Sequence, residues 1–357
     1  MSAWNRREIL KSAASFGLLF TTTQAAWAAP KYDDVSGKTV VITGSNSGIG
    51  YDAAERLARR GCKVILACRT LQKAQLAAEQ IQLGSETKMN LVPRECDLSS
   101  LESIRKFVST FGSEETEGID ILCNNAGLAR DVGSKDVLRS KDGFELTIGT
   151  NHLGHFYLTN LLLQENKIKK NGRIVVTASG VHDPDSPGGA QGSLATLGDL
   201  TGLEQGPSFE MIDGGKFDPD KAYKDSKLCN VFFTRELKRR LAESGSNIET
   251  CCFNPGLIVG TGLFREQNKV FTKIFDVAAT NVLKVGETTS FGGGALEYMA
   301  LSTDVKSGEY YTSKPGSSKY GDDAYGVQFK ETMVSKEALD AAKGKRLWEL
   351  SAKLVGV

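Results

Sequence analysis

The sequence contains no Cys-x-x-Cys pair and only three histidines (His152, His155 and His182) in 357 residues. Its seven cysteines are an odd number without framework spacing, so neither a zinc module nor a disulfide scaffold is indicated. A reducing compartment and no structural metal are the expectation. Charge of one sign is also missing: 44 Lys and Arg stand against 43 Asp and Glu, for a formal net charge of +1. Such a balance implies no nucleic acid and no strongly charged partner. Long apolar runs are absent as well. The N-terminal stretch "NRREILKSAASFGLLFTTTQAAWAAP" is too short and too rich in Ser and Thr to span a bilayer. It opens on Arg6 and Arg7 and ends at Ala26-Trp27-Ala28, which reads as a targeting segment of the twin-arginine or plastid type. Residues 1–29 are therefore set aside, and residues 30–357 are expected to form a single domain.

What is present is an alternation. β-Branched runs at 39–43, 63–67, 90–92, 119–123, 173–177 and 248–253 alternate with helical stretches at 48–60, 70–83, 100–111, 144–166 and 223–244. The pattern predicts an α/β fold with one Rossmann-type, doubly wound parallel sheet and helices on both faces. Two regions break the rhythm. Residues 180–222 are rich in Gly, Pro, Ser and Asp, and long loops of this kind usually serve function. Residues 255–330 follow the last clear strand. In them Leu263, Phe264, Val270, Phe271, Ile274 and Phe275 make one apolar helical stripe beside Lys269, Lys273 and Lys284. A substrate lid with an edge in contact with a membrane surface is the expectation there.

The first strand runs into Gly44-Ser45-Asn46-Ser47-Gly48-Ile49-Gly50, followed by a helix. Glycines there allow a tight turn and let backbone N–H groups approach a pyrophosphate at the helix N-terminus. After the second strand, the place of a ribose-binding carboxylate is taken by Arg69, with Lys73 one turn on. Two cations without a carboxylate favour NADPH over NADH. Asp97 is placed to meet the adenine edge, and Asn124, Ala126 and Gly127 of "NNAG" to pass beneath the cofactor.

Tyr223 and Lys227 are four residues apart, hence one above the other on a helix with Asn230 and Thr234. A phenol ionises near pH 10 and needs its anion stabilised to be a good acid, which a nearby lysine can do. Cys229 falls off that stripe, and two readings remain: a buried small hydrophobe or part of the substrate wall. Ser179 ends the fifth strand and is placed to bond the reacting centre. Asn151 is placed to hold a water that links the lysine to solvent.

Together these residues resemble a short-chain dehydrogenase/reductase from about Lys38 onward. "GFELTIGTNHLGHF" (143–156), "LGDLTGL" (197–203), "MIDGGKFD" with "KAYKDSKLCN" (211–230), "TGLFRE" (261–266) and "WELSAKLVG" (348–356) narrow the likeness. They resemble the light-dependent protochlorophyllide oxidoreductases. That resemblance implies transfer of hydride from NADPH to the D-ring double bond of protochlorophyllide after a photon is absorbed, giving chlorophyllide. It implies Tyr223 as proton donor, Lys227 as its electrostatic partner, Cys229 near the pigment, and 180–222 as an insertion that encloses a tetrapyrrole. A plastid location follows, in the stroma or at the thylakoid surface; monomer or homo-oligomer stays open. Two departures stand out. Leu257 follows "NPG" where the family has cysteine, and "LARDVGSKDVLRS" lacks the expected aromatic. A light-independent reductase of a retinoid, steroid or other carbonyl would use the same Tyr223. A pigment- or NADPH-binding protein without turnover would have no use for the Tyr223–Lys227 pair.

Overall fold

The computed structural model describes residues 32, 34–112, 118–258, 262–264, 286–321 and 329–357. Eight strands form one sheet: β1 (Thr39–Thr43), β2 (Lys63–Cys68), β3 (Leu91–Glu95), β4 (Ile119–Asn124), β5 (Ile168–Thr177), β6 (Glu249–Asn254), β7 (Tyr310–Ser313) and β8 (Phe329–Glu331). Their order is β3-β2-β1-β4-β5-β6-β7-β8, with only β8 antiparallel to its neighbour. All five residues of β1 are buried. Because side chains alternate along a strand, Val41 joins the core on one face while Val40 and Ile42 join the core on the other.

On the first face lie α3 (Leu101–Ser109), α4 (Gly154–Gln164), α5 (Pro219–Glu243) and α7 (Ala341–Val355). The second holds α1 (Gly48–Arg59), α2 (Leu71–Leu83) and α6 (Thr289–Leu301). A short helical turn at Leu146–Ile148 and a π-helical turn at Gly149–Leu153 lead into α4. The start of α5 follows from its first residues. Asp218 accepts the backbone N–H groups of Asp220 and Lys221 at 3.0 and 3.1 Å, and Pro219 occupies the first turn, where its missing N–H is not needed. From α7, Trp348 stacks on Phe233 of α5 with ring centroids 5.7 Å apart and meets Phe156 of α4 edge-on at 4.8 Å.

The stretch 255–330 differs from its expectation. It carries β7 and β8, which extend the sheet, and α6, which packs on α1 as core. Glycine permits that approach, since a Cβ at Gly293 would run into Asp52 of α1. The targeting segment and Val270, Phe271, Ile274 and Phe275 of the apolar stripe lie outside the described residues.

His152, in the turn leading into α4, and His155, in α4, are buried. Burial pulls His152 down to about 3 and His155 down to about 4. The unfolded chain takes up the same protons near pH 6.5. Stability is therefore full above that pH and falls as pH drops from 6.5 toward the folded values. Urea unfolding at pH 7 and pH 5 should show a loss of about 2 kcal/mol per ring. His152→Gln should remove one ring's share of that slope; a midpoint unmoved by pH would contradict it.

Candidate active site

Parallel pairing sends the C-terminal ends of β1 to β7 to one edge of the sheet. The strand order reverses between β1 and β4, so the connections leaving them diverge and open a crevice. A cavity of about 810 Å³ occupies it.

At one end the cavity is lined by Gly44, Asn46, Ser47, Gly48 and Ile49. Gly44 has φ of +69°, which a side chain would resist. Ser45 and Gly50 do not line the cavity. The Ser45 hydroxyl is buried 3.5 Å from Cys68 Sγ. A Cβ on Gly50 would lie 2.6 Å from Asn125 Nδ2 and 2.7 Å from the Gly44 carbonyl oxygen, so this glycine lets the turn close on the β4 loop. Helix α1 begins with no side-chain cap from Ser47 and no acidic residue in its first turn. Its first N–H groups therefore suit an anion, and the turn fits the pyrophosphate of a dinucleotide.

Arg69 and Lys73 both line the cavity and are exposed. Asp97 lines it too. Burial opposes the charge of its carboxyl, but Ser99 donates two hydrogen bonds at 2.7 and 3.1 Å and Lys141 lies 3.2 Å away. The net effect holds the group below the usual carboxylate range. Ala126 and Gly127 line the cavity, whereas Asn124 turns away and donates to Thr159 Oγ1 at 2.9 Å. Its neighbour Asn125 takes the lining position, with Nδ2 donating to the Thr43 carbonyl at 3.0 Å.

At the catalytic end Ser179, Tyr223 and Lys227 converge. Lys227 Nζ is 5.6 Å from the Tyr223 ring centre. It donates to the Thr177 carbonyl at 3.1 Å, as Asn230 Nδ2 does at the same distance. The expectation of an acidified phenol is corrected here. Burial pushes Tyr223 up to about 12, against a hydrogen bond from Ser179 that lowers it, and burial pulls Lys227 down to about 8. The phenol is thus held neutral, proton in place, which suits a donor rather than a base.

Asn151 does not line the cavity. Its side chain accepts from Leu128 N and donates to Leu128 O, both at 2.9 Å, and donates to Ser226 Oγ at 3.0 Å. The side chain fixes the loop after β4 against α5. Cys229 is likewise absent from the cavity wall: it is fully buried in the core, and burial drives its thiol well above the ordinary range.

Sequence reasoning passed over several lining residues. Thr177 and Asn254 could have been found as polar residues closing β-branched runs. Tyr310, Thr312 and Ser313 could not, because β7 went unrecognised. His182 also lines the cavity; Nδ1 meets the Ser179 carbonyl at 2.7 Å and Nε2 accepts from Ser335 N at 3.3 Å. Apolar side chains also line the cavity: Leu146, Val181, Leu257, Ile258, Leu263 and Met333. Two lysines flanking Tyr223 hold the 180–222 segment to α5. Lys221 Nζ bonds Thr196 O at 2.6 Å, Asp225 at 2.5 Å and Asp213 at 3.1 Å. Lys224 bonds the Gln191 carbonyl, and the Ser193 carbonyl at 2.7 Å.

The burial of Cys229 has a direct test. Thiolate is the reactive form, so iodoacetamide at pH 8 should leave Cys229 unlabelled in the native protein and label it fully in urea. Peptide mass spectrometry reads the result, and native labelling as fast as in urea would place the thiol at an open surface.

The family model described as short chain dehydrogenase matches residues 38–191. The chain is 38% identical over 328 residues to "Protochlorophyllide reductase, chloroplastic" of Pisum sativum, covering 89% of this chain and 78% of the relative. With "Protochlorophyllide reductase" of Avena sativa it shares 37% identity over 332 residues, covering 89% of this chain and 99% of the relative. A crystal structure of an uncharacterized protein from Mycobacterium paratuberculosis superposes with a TM-score of 0.65 at 30% identity, covering 92% of this chain and 96% of that one. The chain belongs to the protochlorophyllide reductase family of short-chain dehydrogenases and is a nicotinamide-dependent oxidoreductase.

Proposed function

We propose that this chain uses NADPH and absorbed light to reduce the D-ring double bond of protochlorophyllide, giving chlorophyllide, within a plastid. The observation that carries the reading is one continuous cavity. It is lined by Arg69 and Lys73, by Ser179, Tyr223 and Lys227, and by the apolar side chains of Leu146, Val181, Leu257 and Met333. Its glycine turn and cations suit a dinucleotide, and its apolar walls suit a large flat substrate.

Bound there, NADPH would supply the hydride. Arg69 and Lys73 would hold its 2′-phosphate, and the α1 N-terminus its pyrophosphate. Tyr223 keeps its proton in the resting site and gives it to the carbon next to the one that receives hydride. Ser179 donates to the phenol oxygen and so favours the anion left behind. Lys227 supplies positive charge at the same place. The 180–222 segment, held by Lys221 and Lys224, and the wall from β7 exclude water from the reacting carbons.

Purified protein mixed with NADPH and protochlorophyllide should change its absorption only after a flash. Turnover in darkness, or binding without conversion, would overturn the reading. Tyr223→Phe should bind both partners and slow the proton step about 10²–10⁴-fold; wild-type single-flash kinetics would move the proton source elsewhere. Neutralising Arg69 and Lys73 together should weaken NADPH by roughly 2–4 kcal/mol and leave NADH nearly unchanged. Equal losses for both cofactors would remove the 2′-phosphate assignment.

A further inference from the structure

We propose that His155, which neither touches the cavity nor takes part in the chemistry, is a positioning residue that fixes the lysine end of the active site through the tautomer of its ring. The inference rests on the role given above to Tyr223 and Lys227. His155 lies in α4 and is buried, and it does not line the cavity. Its Nδ1 is 3.1 Å from the carbonyl oxygen of Asn151, and its Nε2 is 2.9 Å from Thr43 Oγ1.

The hydrogen positions follow from counting donors. A carbonyl oxygen only accepts, so Nδ1 carries the proton that reaches Asn151. Thr43 Oγ1 already accepts from Asn125 N at 2.9 Å and Ala126 N at 3.0 Å, which uses both of its lone pairs. Its single proton is left for Nε2 or for the Cys123 carbonyl at 3.2 Å. A proton on Nε2 as well would meet an oxygen with no acceptor capacity left. The ring is therefore neutral and accepts at Nε2. Burial and the charge of Lys227, against the bond to Asn151, hold it in that state.

This one ring ties three parts of the site together. Through Thr43 it sets the turn at Asn125 and Ala126 that forms the cofactor floor. Asn125 in turn accepts from Thr177 Oγ1 at 3.4 Å, and the Thr177 carbonyl receives Lys227 Nζ. Through Asn151 it fixes the bulged turn whose side chain grips Leu128 and Ser226, the latter next to Lys227. Gly127 sits between the two branches, where a Cβ would lie 3.4 Å from Asn151 Oδ1 and 3.6 Å from Lys227 Nζ. Loss of the ring nitrogens frees the Asn151 carbonyl and leaves the Thr43 proton to Cys123. Lys227 then sits in a looser and wetter pocket.

The test compares His155→Phe, which keeps a ring without nitrogens, with His155→Asn, whose amide nitrogen reaches the place of Nδ1. Single-flash kinetics with NADPH and protochlorophyllide are measured across pH, with NADPH affinity and thermal midpoint alongside. His155→Phe should slow the proton step about 10- to 100-fold, the scale of a misplaced catalytic group. It should also move the alkaline limb set by Lys227 to higher pH, because a wetter lysine holds its proton more firmly. His155→Asn should recover most of the rate and the original limb. Wild-type rate and pH profile in His155→Phe would overturn the inference. So would losses in both variants that follow the thermal midpoint while the limb stays put, or failure of both to fold, since either makes the ring mere packing. Tyr223→Phe in the same assay separates the two levels. If it slows the proton step while His155→Phe does not, only this inference fails; if it too is wild type, the site reading fails.

Discussion

Parallel pairing is the constraint on which the site depends. Seven strands laid side by side in one direction bring their C-terminal ends to a common edge, and that edge with the loops leaving it delivers Gly44, Asn125, Thr177, Ser179 and Asn254 to the cavity that α5 completes with Tyr223 and Lys227. Fixed register makes this possible. Val40, Val41 and Ile42 of β1 face Ile121, Leu122 and Cys123 of β4, so Thr43 ends beside the start of the next loop. The hydroxyl of Thr43 can then hold two backbone N–H groups from another strand's connection. No long side chain is needed to span the gap.

Electrostatics in this setting differ from those of a Tyr–Lys pair in water. Burial opposes charge on both partners, raising the phenol and lowering the ammonium. Neither is strongly stabilised by the other before a ligand arrives. The Thr177 carbonyl instead orients Lys227, and Ser179 orients the phenol. A site of this type holds its geometry ready and leaves much of its electrostatic stabilisation for the moment when charge appears on the substrate.

The sequence made much of this legible because periodicity and punctuation agreed from β1 to β6. The runs of β1, β4, β5 and β6 lead into Gly44, Asn125, Ser179 and Asn254, and each of these lines the cavity. The reading stopped after Asn254 for a physical reason. β7 is four residues long, β8 is three, and neither has a long β-branched run. Helix α6 is apolar nearly all round, since it is buried against α1 and the sheet, so it carries no amphipathic stripe to read. Asn124 and Asn125 show a different limit. Adjacent residues point to opposite sides, and only the three-dimensional turn decides which one meets the cavity. Cys229 shows a third: the helical wheel placed it off the Tyr223 face, but not how deep it lay.

The covering of α5 by α7 bears on how the protein is made. Trp348 closes the face carrying Phe156 and Phe233, and Arg240 lies across its ring at 4.6 Å. In the chain α7 follows α5 only after β6, α6, β7 and β8. During synthesis the helix bearing Tyr223 and Lys227 therefore emerges with Phe233 able to rest on His152 and Phe156 but without Trp348, which closes the other flank, until α7 leaves the ribosome. Such a nascent flank is sticky, and long-range closure of this kind is slow.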